Sequence, residues 1–348
     1  MQSDVVQLAA IDYPFGERLP EQAELLPVAP GIFWLRLPLP FALNHINLWL
    51  LQDGDGWTLV DTGYASRTNI GIWQQLLAGA LDGRPLRRIV VTHDHPDHIG
   101  LAQWLIEQTG ASLWMAAGEF LEAHAVWHEV AGHDRESMVE LFRRHGVPQP
   151  ALEMLRASGN NYRHGVKSLA HAFRRILPAD IIEIDGHRWQ AIMGYGHSPE
   201  HVSLYCPTLD VLISGDMLLP AISTNISVWA TEPDGDPLRA FLDSLERFEP
   251  LPATTLVLPS HGKPFTGIQP RVNYLRQHHR ERLDILRRFC DSPRTAVECL
   301  PQLFDRELDA YQLFFAVGET IAHLNHLWLA GELCREADES GVLRFRLC

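Results

Sequence analysis

The amino-acid sequence predicts a protein of the α+β class, in which buried strands lead into polar turns and helices are grouped in separate segments. Two observations lead to this prediction. Short apolar runs typical of buried strands end in His or Asp, and the strand ends of an open sheet lie together at one edge. Apolar residues recur at helical spacing in a middle segment, about residues 118–178, and again after residue 270.

The most informative segment is Thr92–Gly100, with the sequence THDHPDHIG. It places the imidazoles of His93, His95 and His98 and the carboxylate of Asp97 within six positions, directly after an apolar run. A strand that leads into a turn directs these side chains into one small volume. Imidazole nitrogen and carboxylate oxygen suit zinc and comparable first-row metals. The segment therefore predicts a metal site rather than a solvated histidine-rich loop.

Four further segments combine a strand-like run with a potential ligand at or near its end. These ligands are Asp61 after residues 57–60, His197 in the glycine-rich turn 194–201, Asp216 after residues 211–215, and His261 after residues 256–260. One such run would be weak support for a site. Five runs in order along the chain favour a single site shared by all of them.

The HxHxDH motif with these four partners resembles the metallo-β-lactamase superfamily over about residues 28–268. The resemblance implies an αβ/βα sandwich with a two-metal site at the sheet edge. It implies that His93, His95 and His197 hold one metal. It also implies that Asp97, His98 and His261 hold the second metal, and that the carboxylate of Asp216 bridges the two. It also implies that Asp61 orients the ligand loop, as partners of metal-bound histidines do.

The ligand set narrows the branch that the chain resembles. A carboxylate at the bridging position and a histidine at position 98 resemble glyoxalase II-like thioesterases, lactonases, phosphodiesterases and ribonucleases more than zinc β-lactamases. Leu219 occupies a position where N-acyl homoserine lactonases often have tyrosine, which weighs against that activity.

Two divalent cations about 3.5–4 Å apart would lower the pKa of a bridging water, and the resulting hydroxide would attack a carbonyl or phosphoryl centre. We expect zinc first, with iron or manganese as alternatives, and Asp97 as the proton shuttle to the leaving group.

Length and composition agree with a soluble enzyme. The formal net charge of −14 disfavours general binding to nucleic acid. No run approaches the roughly 20 apolar residues of a membrane span, and the N-terminus lacks the features of a signal peptide. Five cysteines form no CxxC pair, so we expect free thiols in a reducing cytoplasm.

The helical insertion at about 118–178 is basic over residues 143–175. One interpretation is a solvated helical face. The other is a lid whose Arg143 and Arg144 receive an anionic group such as a CoA phosphate. Phe41, Leu43 and Trp229 are candidate walls of an apolar substrate pocket, with core packing as the alternative for each.

The C-terminal part, residues 270–348, reads as three helices and a two-stranded wing, and residues 1–269 as the catalytic part. The order resembles a winged-helix domain, and the combination resembles β-lactamase-like hydrolases that carry one at the C-terminus. Residues 311–334, which hold the long helix, contain no Lys or Arg, which disfavours a recognition helix for DNA. Packing, closure of the active site or a homodimer interface are the expected roles.

Three functions remain open at this point. The first is a metal-dependent hydrolase of a thioester or carboxylic ester, with an acyl-CoA as one candidate substrate. The second is a phosphodiesterase or ribonuclease of the same superfamily. The third is a non-catalytic binding protein, which the complete ligand set disfavours.

Overall fold

The computed structural model describes residues 11–305, 308 and 310–348. Its main feature is a pair of β-sheets with seven and five strands. In the first sheet β1 to β4 are antiparallel, and β5, β6 and β7 follow in parallel. Its strands are β1 (Leu26–Ala29), β2 (Ile32–Pro38), β3 (His45–Asp53), β4 (Gly56–Val60), β5 (Leu86–Val90), β6 (Ser112–Met115) and β7 (Arg174–Arg175).

The second sheet is antiparallel from β8 to β11, and β12 lies parallel to β11 at its edge. Its strands are β8 (Ile181–Ile184), β9 (His187–Gly194), β10 (His201–Cys206), β11 (Val211–Gly215) and β12 (Leu256–Pro259). A separate hairpin near the C-terminus pairs β13 (Leu333–Ala337) with β14 (Leu343–Leu347).

Helices cover the outer faces of the sheets and form the C-terminal part. They are α1 (Arg67–Gln75), followed by a π-helical turn at Leu76–Ala80, α2 (Pro96–Ile99), α3 (Ala102–Thr109), α4 (Ala117–His128), α5 (Arg135–Arg144), α6 (Gln149–Ala157), α7 (Tyr162–Gly165), α8 (Pro237–Leu245), α9 (Ile268–Phe289), α10 (Ala296–Leu303) and α11 (Ala310–Leu329).

The apolar core has three clusters, and their arrangement defines the layers. One cluster lies between the two sheets and includes Trp34, Trp49 and Trp189. A second lies between the first sheet and its helices. The third joins the second sheet to α8, the insertion and the C-terminal helices. The predicted αβ/βα sandwich is confirmed.

The insertion is helical over a shorter range than the sequence predicts. Helices α4 to α7 end at Gly165, and Arg174–Arg175 form β7 beside β6. The expectation of helix up to about residue 178 is wrong, because these two arginines pair with Trp114 and Met115 at the edge of the first sheet. Helices α5 and α6 contribute to the same apolar cluster as the C-terminal helices.

The C-terminal part contains α9, α10, α11 and the hairpin, in the predicted order. The division into residues 1–269 and 270–348 stays a prediction, since one apolar cluster contains residues of both. The long helix expected within residues 311–334 is α11, which ends at Leu329. Gly331 follows it with a positive φ of 75°. The buried side chain of Leu324 belongs to this cluster. A homodimer interface on the C-terminal part stays a prediction.

The cysteines correct one expectation. Cys334 and Cys348 form a disulfide across the C-terminal hairpin, with Cα atoms 5.0 Å apart. The prediction of free thiols therefore holds only for Cys206, Cys290 and Cys299, which are buried. Strand pairing brings Cys334 and Cys348 together although 14 positions separate them. Within the described residues, no helix is both long and apolar enough to span a bilayer.

Candidate metal centre

The ligand loop follows directly from the end of a central strand. Strand β5 ends at Val90, and helix α2 begins at Pro96, which is the first residue of its first turn. His93 and His95 therefore lie in the connection before the helix, whereas Asp97 and His98 lie on the helix. A proline at the first helical position is favoured because its φ suits the helix and its missing N–H needs no partner.

A first group of ligand atoms comes from His93, His95, His197 and Asp216, all within 4.8 Å of one another. The Nε2 atoms of His93 and His197 are 3.2 Å apart. His197 Nε2 is 3.5 Å from Asp216 Oδ2. Gly196 allows this approach, because its φ is +95° and a Cβ there would overlap the carbonyl oxygen of Pro237.

A second group comes from Asp97, His98 and His261, again within 4.8 Å. Asp97 Oδ2 lies 3.4 Å from His261 Nε2 and 3.8 Å from His98 Nε2. The other oxygen of Asp216, Oδ1, lies 3.6 Å from the Nε2 atom of each of these histidines. Asp216 therefore presents one oxygen to each group.

These donors fit two divalent cations. Within the described residues, His98 Nε2 and Asp216 Oδ1 are buried without a hydrogen-bond partner. Buried polar atoms rarely lack a partner unless an ion or water takes that place. Nitrogen and oxygen donors at this spacing suit zinc, iron or manganese, and the donor set alone does not select among them.

Asp61 lies where its carboxylate can orient the second group. Its Oδ2 accepts a hydrogen bond from His98 Nδ1 at 2.8 Å, and its Oδ1 accepts from the Thr92 amide at 2.8 Å. Asp61 adopts a positive φ of 61° at the end of β4. The residue thereby fixes the tautomer of His98 and the start of the ligand loop.

Backbone carbonyls support two other ligand histidines. His197 Nδ1 lies 2.7 Å from the carbonyl oxygen of Asn225, and His261 Nδ1 lies 2.9 Å from that of His45. The His45 ring accepts a hydrogen bond from the Gly262 amide at 2.9 Å. Burial, with Arg36 and His261 nearby, lowers the pKa of His45 to about 4, so its ring is neutral and structural.

The two groups differ in their electrostatics. Burial, with a further contribution from His197, lowers the pKa of His95 to about 3. Burial also lowers the pKa of His98, but three carboxylates outweigh it and raise this pKa to about 10. They belong to Asp61, Asp97 and Asp216. Burial and the neighbouring histidines also lower the pKa of His93, so His93 and His95 of the first group are neutral imidazoles, whereas His98 of the second group is surrounded by negative charge that favours a cation.

Two buried residues near the ligands were missed by sequence reasoning. Glu119 accepts hydrogen bonds from the Asp94 amide at 2.8 Å and from Ser198 Oγ at 2.8 Å, so it joins both histidine loops. His201 accepts from the Asp216 amide at 3.0 Å. Glu119 lies inside a helical pattern, and no spacing distinguishes it from a surface glutamate. His201 was visible in the GHSPEH segment but had no predicted role.

Family comparisons agree with this geometry. The family described as "Metallo-beta-lactamase superfamily" matches residues 43–261, which is more than half of the chain. The chain belongs to the metallo-β-lactamase superfamily. The family described as "Metallo-beta-lactamase-like, C-terminal domain" matches residues 283–348.

Individual members of the superfamily are similar over much of the chain. The crystal structure of a "Beta-lactamase domain protein" from Burkholderia ambifaria is 44% identical, with a TM-score of 0.92, and covers 99% of this chain and 100% of its own. The "Probable metallo-hydrolase YqjP" of Bacillus subtilis is 27% identical over 301 residues, 84% of this chain and 91% of that protein. A "Hydroxyacylglutathione hydrolase" of Rhodobacter capsulatus is 25% identical over 176 residues, 51% of this chain and 48% of that protein.

The structure places the predicted apolar pocket residues on two different loops. Phe41 and Leu43 are partly buried against the helix-covered face of the first sheet, and the Phe41 ring lies 5.8 Å from that of Tyr64. Trp229 is 45% exposed, four positions after Asn225, which supports His197. Their role in substrate binding stays a prediction.

The predicted lid arginines lie at the C-terminus of α5. Arg143 donates to Glu140 at 2.7 Å and to the carbonyl oxygen of Ser340 in the C-terminal hairpin at 3.1 Å. Arg144 lies beside it at the C-terminus of α5, partly buried. Among the described residues, neither arginine has a hydrogen bond or ion pair to a metal ligand, and the choice between a solvated helical face and a lid stays a prediction.

Proposed function

We propose that this protein is a dinuclear metal-dependent hydrolase that cleaves a thioester or carboxylic ester. The observation that carries the proposal is Asp216, whose two oxygens face the two groups of ligands. A carboxylate at this position, together with His98, resembles the ligand set of glyoxalase II-like hydrolases. The similarity to a hydroxyacylglutathione hydrolase supports the same class of substrate.

The residues divide the chemistry between them. Two divalent cations, with zinc as our first expectation, lower the pKa of water and stabilise negative charge on a carbonyl oxygen when they are bound at such a site. His93, His95 and His197 would hold one, and Asp97, His98 and His261 the other. Burial raises the pKa of Asp97, but His98 and His261 outweigh it, so the net pKa is lowered.

Asp97 is therefore ionised at neutral pH, and we assign it the role of proton shuttle: its carboxylate would accept the proton that the attacking water loses and pass it to the leaving group. Its Oδ2 faces His261 and His98. Its other oxygen is then available on the side of the substrate. Trp229, with Phe41 and Leu43, would contact the acyl part.

Charge favours a small acyl substrate over nucleic acid. Three of the seven Lys and Arg side chains of the basic segment 143–175 are paired with carboxylates: Arg143, Arg156 and Arg163 pair with Glu140, Glu136 and Glu129 at 2.7, 2.9 and 3.6 Å. Binding to a phosphate backbone relies on Lys and Arg that can release counterions. The overall charge of −14 acts in the same direction.

A substrate panel on protein of known metal content tests the proposal. An acyl-CoA, a lactone, an aryl ester, bis-p-nitrophenyl phosphate and a short RNA are compared with the wild type and with His261→Ala as a control for contaminating hydrolases. We expect two metals per chain and wild-type turnover confined to the carbonyl substrates. Turnover of the phosphodiesters alone would overturn the proposal.

The same panel tests the apolar wall. Trp229→Ala should raise KM for a long-chain acyl thioester about 10-fold, while KM for the acetyl analogue stays within 2-fold, because burying one large side chain contributes roughly 1.5–3 kcal/mol. Equal changes for both chain lengths would remove Trp229 from the acyl site.

A further inference from the structure

The segment between Asp216 and α8 is long for a connection within a compact domain. Residues 217–236 contain no helix or strand, and loops longer than about 12–15 residues are usually functional or mobile. This connecting segment supports the ligands directly. Thr224 Oγ1 donates to the carbonyl oxygen of Asp216 at 2.6 Å, and the Asn225 carbonyl oxygen accepts from His197 Nδ1.

The C-terminal helices and hairpin contact the connecting segment at many points along its length. Ser227 packs so closely on Gly318 that a Cβ there would lie 2.8 Å from its Oγ. The hydrogen bonds and ion pairs are Arg271 to Ile222 O (2.6 Å), Asn225 to Glu319 (3.5 Å), Val228 N to Gly318 O (3.2 Å), Asn325 to Pro233 O (3.0 Å) and Gly235 O (3.1 Å), Arg335 to Asp234 (2.8 Å), and His326 to Asp236 (3.1 Å).

One of these contacts ends at the residue that supports a metal ligand. Asn225 Nδ2 donates to Glu319 Oε2, and its Oδ1 accepts from Ser227 Oγ at 2.9 Å. Glu319 is 7% exposed, and its Oε1 lies 3.4 Å from Arg282 Nη1 of α9. Two C-terminal helices are thus connected to His197 through a single asparagine.

We propose that Glu319 is a positioning residue for His197. Together with Arg282, it fixes the side chain of Asn225 and thereby the carbonyl oxygen that selects the tautomer and orientation of the His197 ring. Removing such a partner typically lowers metal affinity 10–100-fold. Within the described part of the chain, no hydrogen bond or ion pair joins Asp97, His98 or His261 to the connecting segment, so the effect should fall on the first group alone.

The proposal rests on the metal site and not on the substrate, so it is tested with zinc or cobalt(II) alone. Glu319→Ala, Glu319→Gln and Asn225→Ala are compared with Glu332→Ala. Glu332 is a matched control because it pairs with Arg287 of α9 and, among the described residues, has no hydrogen bond or ion pair to the connecting segment. Competition with a chromophoric chelator gives the two dissociation constants, and the cobalt(II) spectrum reports the ligand geometry.

We expect Glu319→Ala to weaken one of the two metals about 10-fold or more, leave the other within 2-fold and change the cobalt(II) spectrum. Glu319→Gln keeps an acceptor for Asn225 and should recover part of the affinity. Because Glu319 and Asn225 act through one contact, the double variant Glu319→Ala/Asn225→Ala should lose no more metal affinity than the single variant with the larger loss. Glu332→Ala should match the wild type.

Three results would overturn the inference: unchanged dissociation constants, equal weakening of both metals, or the same loss in Glu332→Ala. If Glu319→Ala does not fold because Arg282 is left unpaired, Asn225→Ala carries the test, since it removes the link without stranding a charge. A wild-type protein that binds no metal would instead refute the proposed function.

Discussion

An imidazole that binds a metal through one ring nitrogen needs an acceptor for the other, and Asp61 is that acceptor for His98. We predict that Asp61→Asn lowers the affinity of the second metal about 10–100-fold, because the amide cannot accept from both His98 and the Thr92 backbone. Chelator competition with zinc measures the change.

Asp210→Asn is a suitable control for this prediction. Asp210 also has a positive φ, of 52°, and also accepts hydrogen bonds from threonine hydroxyls, those of Thr254 and Thr255. Because it contacts no metal ligand in these hydrogen bonds, its replacement should leave both affinities unchanged. An Asp61→Asn protein with wild-type zinc affinity would contradict the role assigned to Asp61.

His145 gives the stability of the protein a pH dependence that is separate from the metal site. Burial, followed by Arg335 and Arg144, lowers the pKa of His145 to about 3. The unfolded chain, with a histidine pKa of about 6.5, therefore binds more protons than the folded protein between these values. The stabilisation is complete above pH 6.5 and is lost as the pH falls towards 3.

We predict that His145→Phe reduces this acid sensitivity. The melting temperature of the variant should fall less steeply than that of the wild type between pH 6.5 and pH 4, because phenylalanine has no proton to bind. The ring still packs on Phe345, whose centroid lies 6.0 Å from that of His145. Parallel curves for the two proteins would show that His145 does not contribute to the slope.

At the scale of single elements, α10 depends on its first turn. Thr295 Oγ1 accepts from the Glu298 amide at 3.2 Å, and Glu298 Oε2 accepts from the Thr295 amide at 2.7 Å, which is a capping box. Thr295→Ala should lower the free energy of unfolding by about 1 kcal/mol. Urea unfolding measures the change, with Ser292→Ala as control, because Ser292 is only partly buried and its hydroxyl donates to Asp291 rather than to a helix. Equal midpoints for the two variants would contradict this role.

The elements show which features the sequence could predict. The ligands at the strand ends were predictable, because each is a His or Asp side chain that follows an apolar strand-like run and is therefore visible in the sequence. Asn225 was not predictable, since it supports His197 through a backbone carbonyl, which has no signature in the sequence. The partners of Arg143 were also hidden, because Ser340 lies almost 200 positions away in the hairpin.

At the scale of the whole molecule, the sheets and the C-terminal helices share one core. Leu212 and Val257 of the second sheet belong to the same buried cluster as Val317 and Ile321 of α11. The ligand Asp216 directly follows strand β11 of this sheet, and His261 lies two positions after the end of β12. A change in the C-terminal core should therefore reach the metal site through packing as well as through Glu319.

Ile321→Ala tests this coupling. Ile321 is fully buried, and its truncation should cost about 2–5 kcal/mol, because a cavity remains where the side chain was. Unfolding in urea is followed by far-UV circular dichroism and by zinc release to a chromophoric chelator. If the core is shared, both signals should move together to lower urea with an unchanged slope.

Leu329→Ala, on the same helix but half exposed, should change the free energy of unfolding by about 0.5 kcal/mol or less. A loss of helix signal at lower urea, with zinc release unchanged, would mean that the C-terminal helices unfold independently of the metal site.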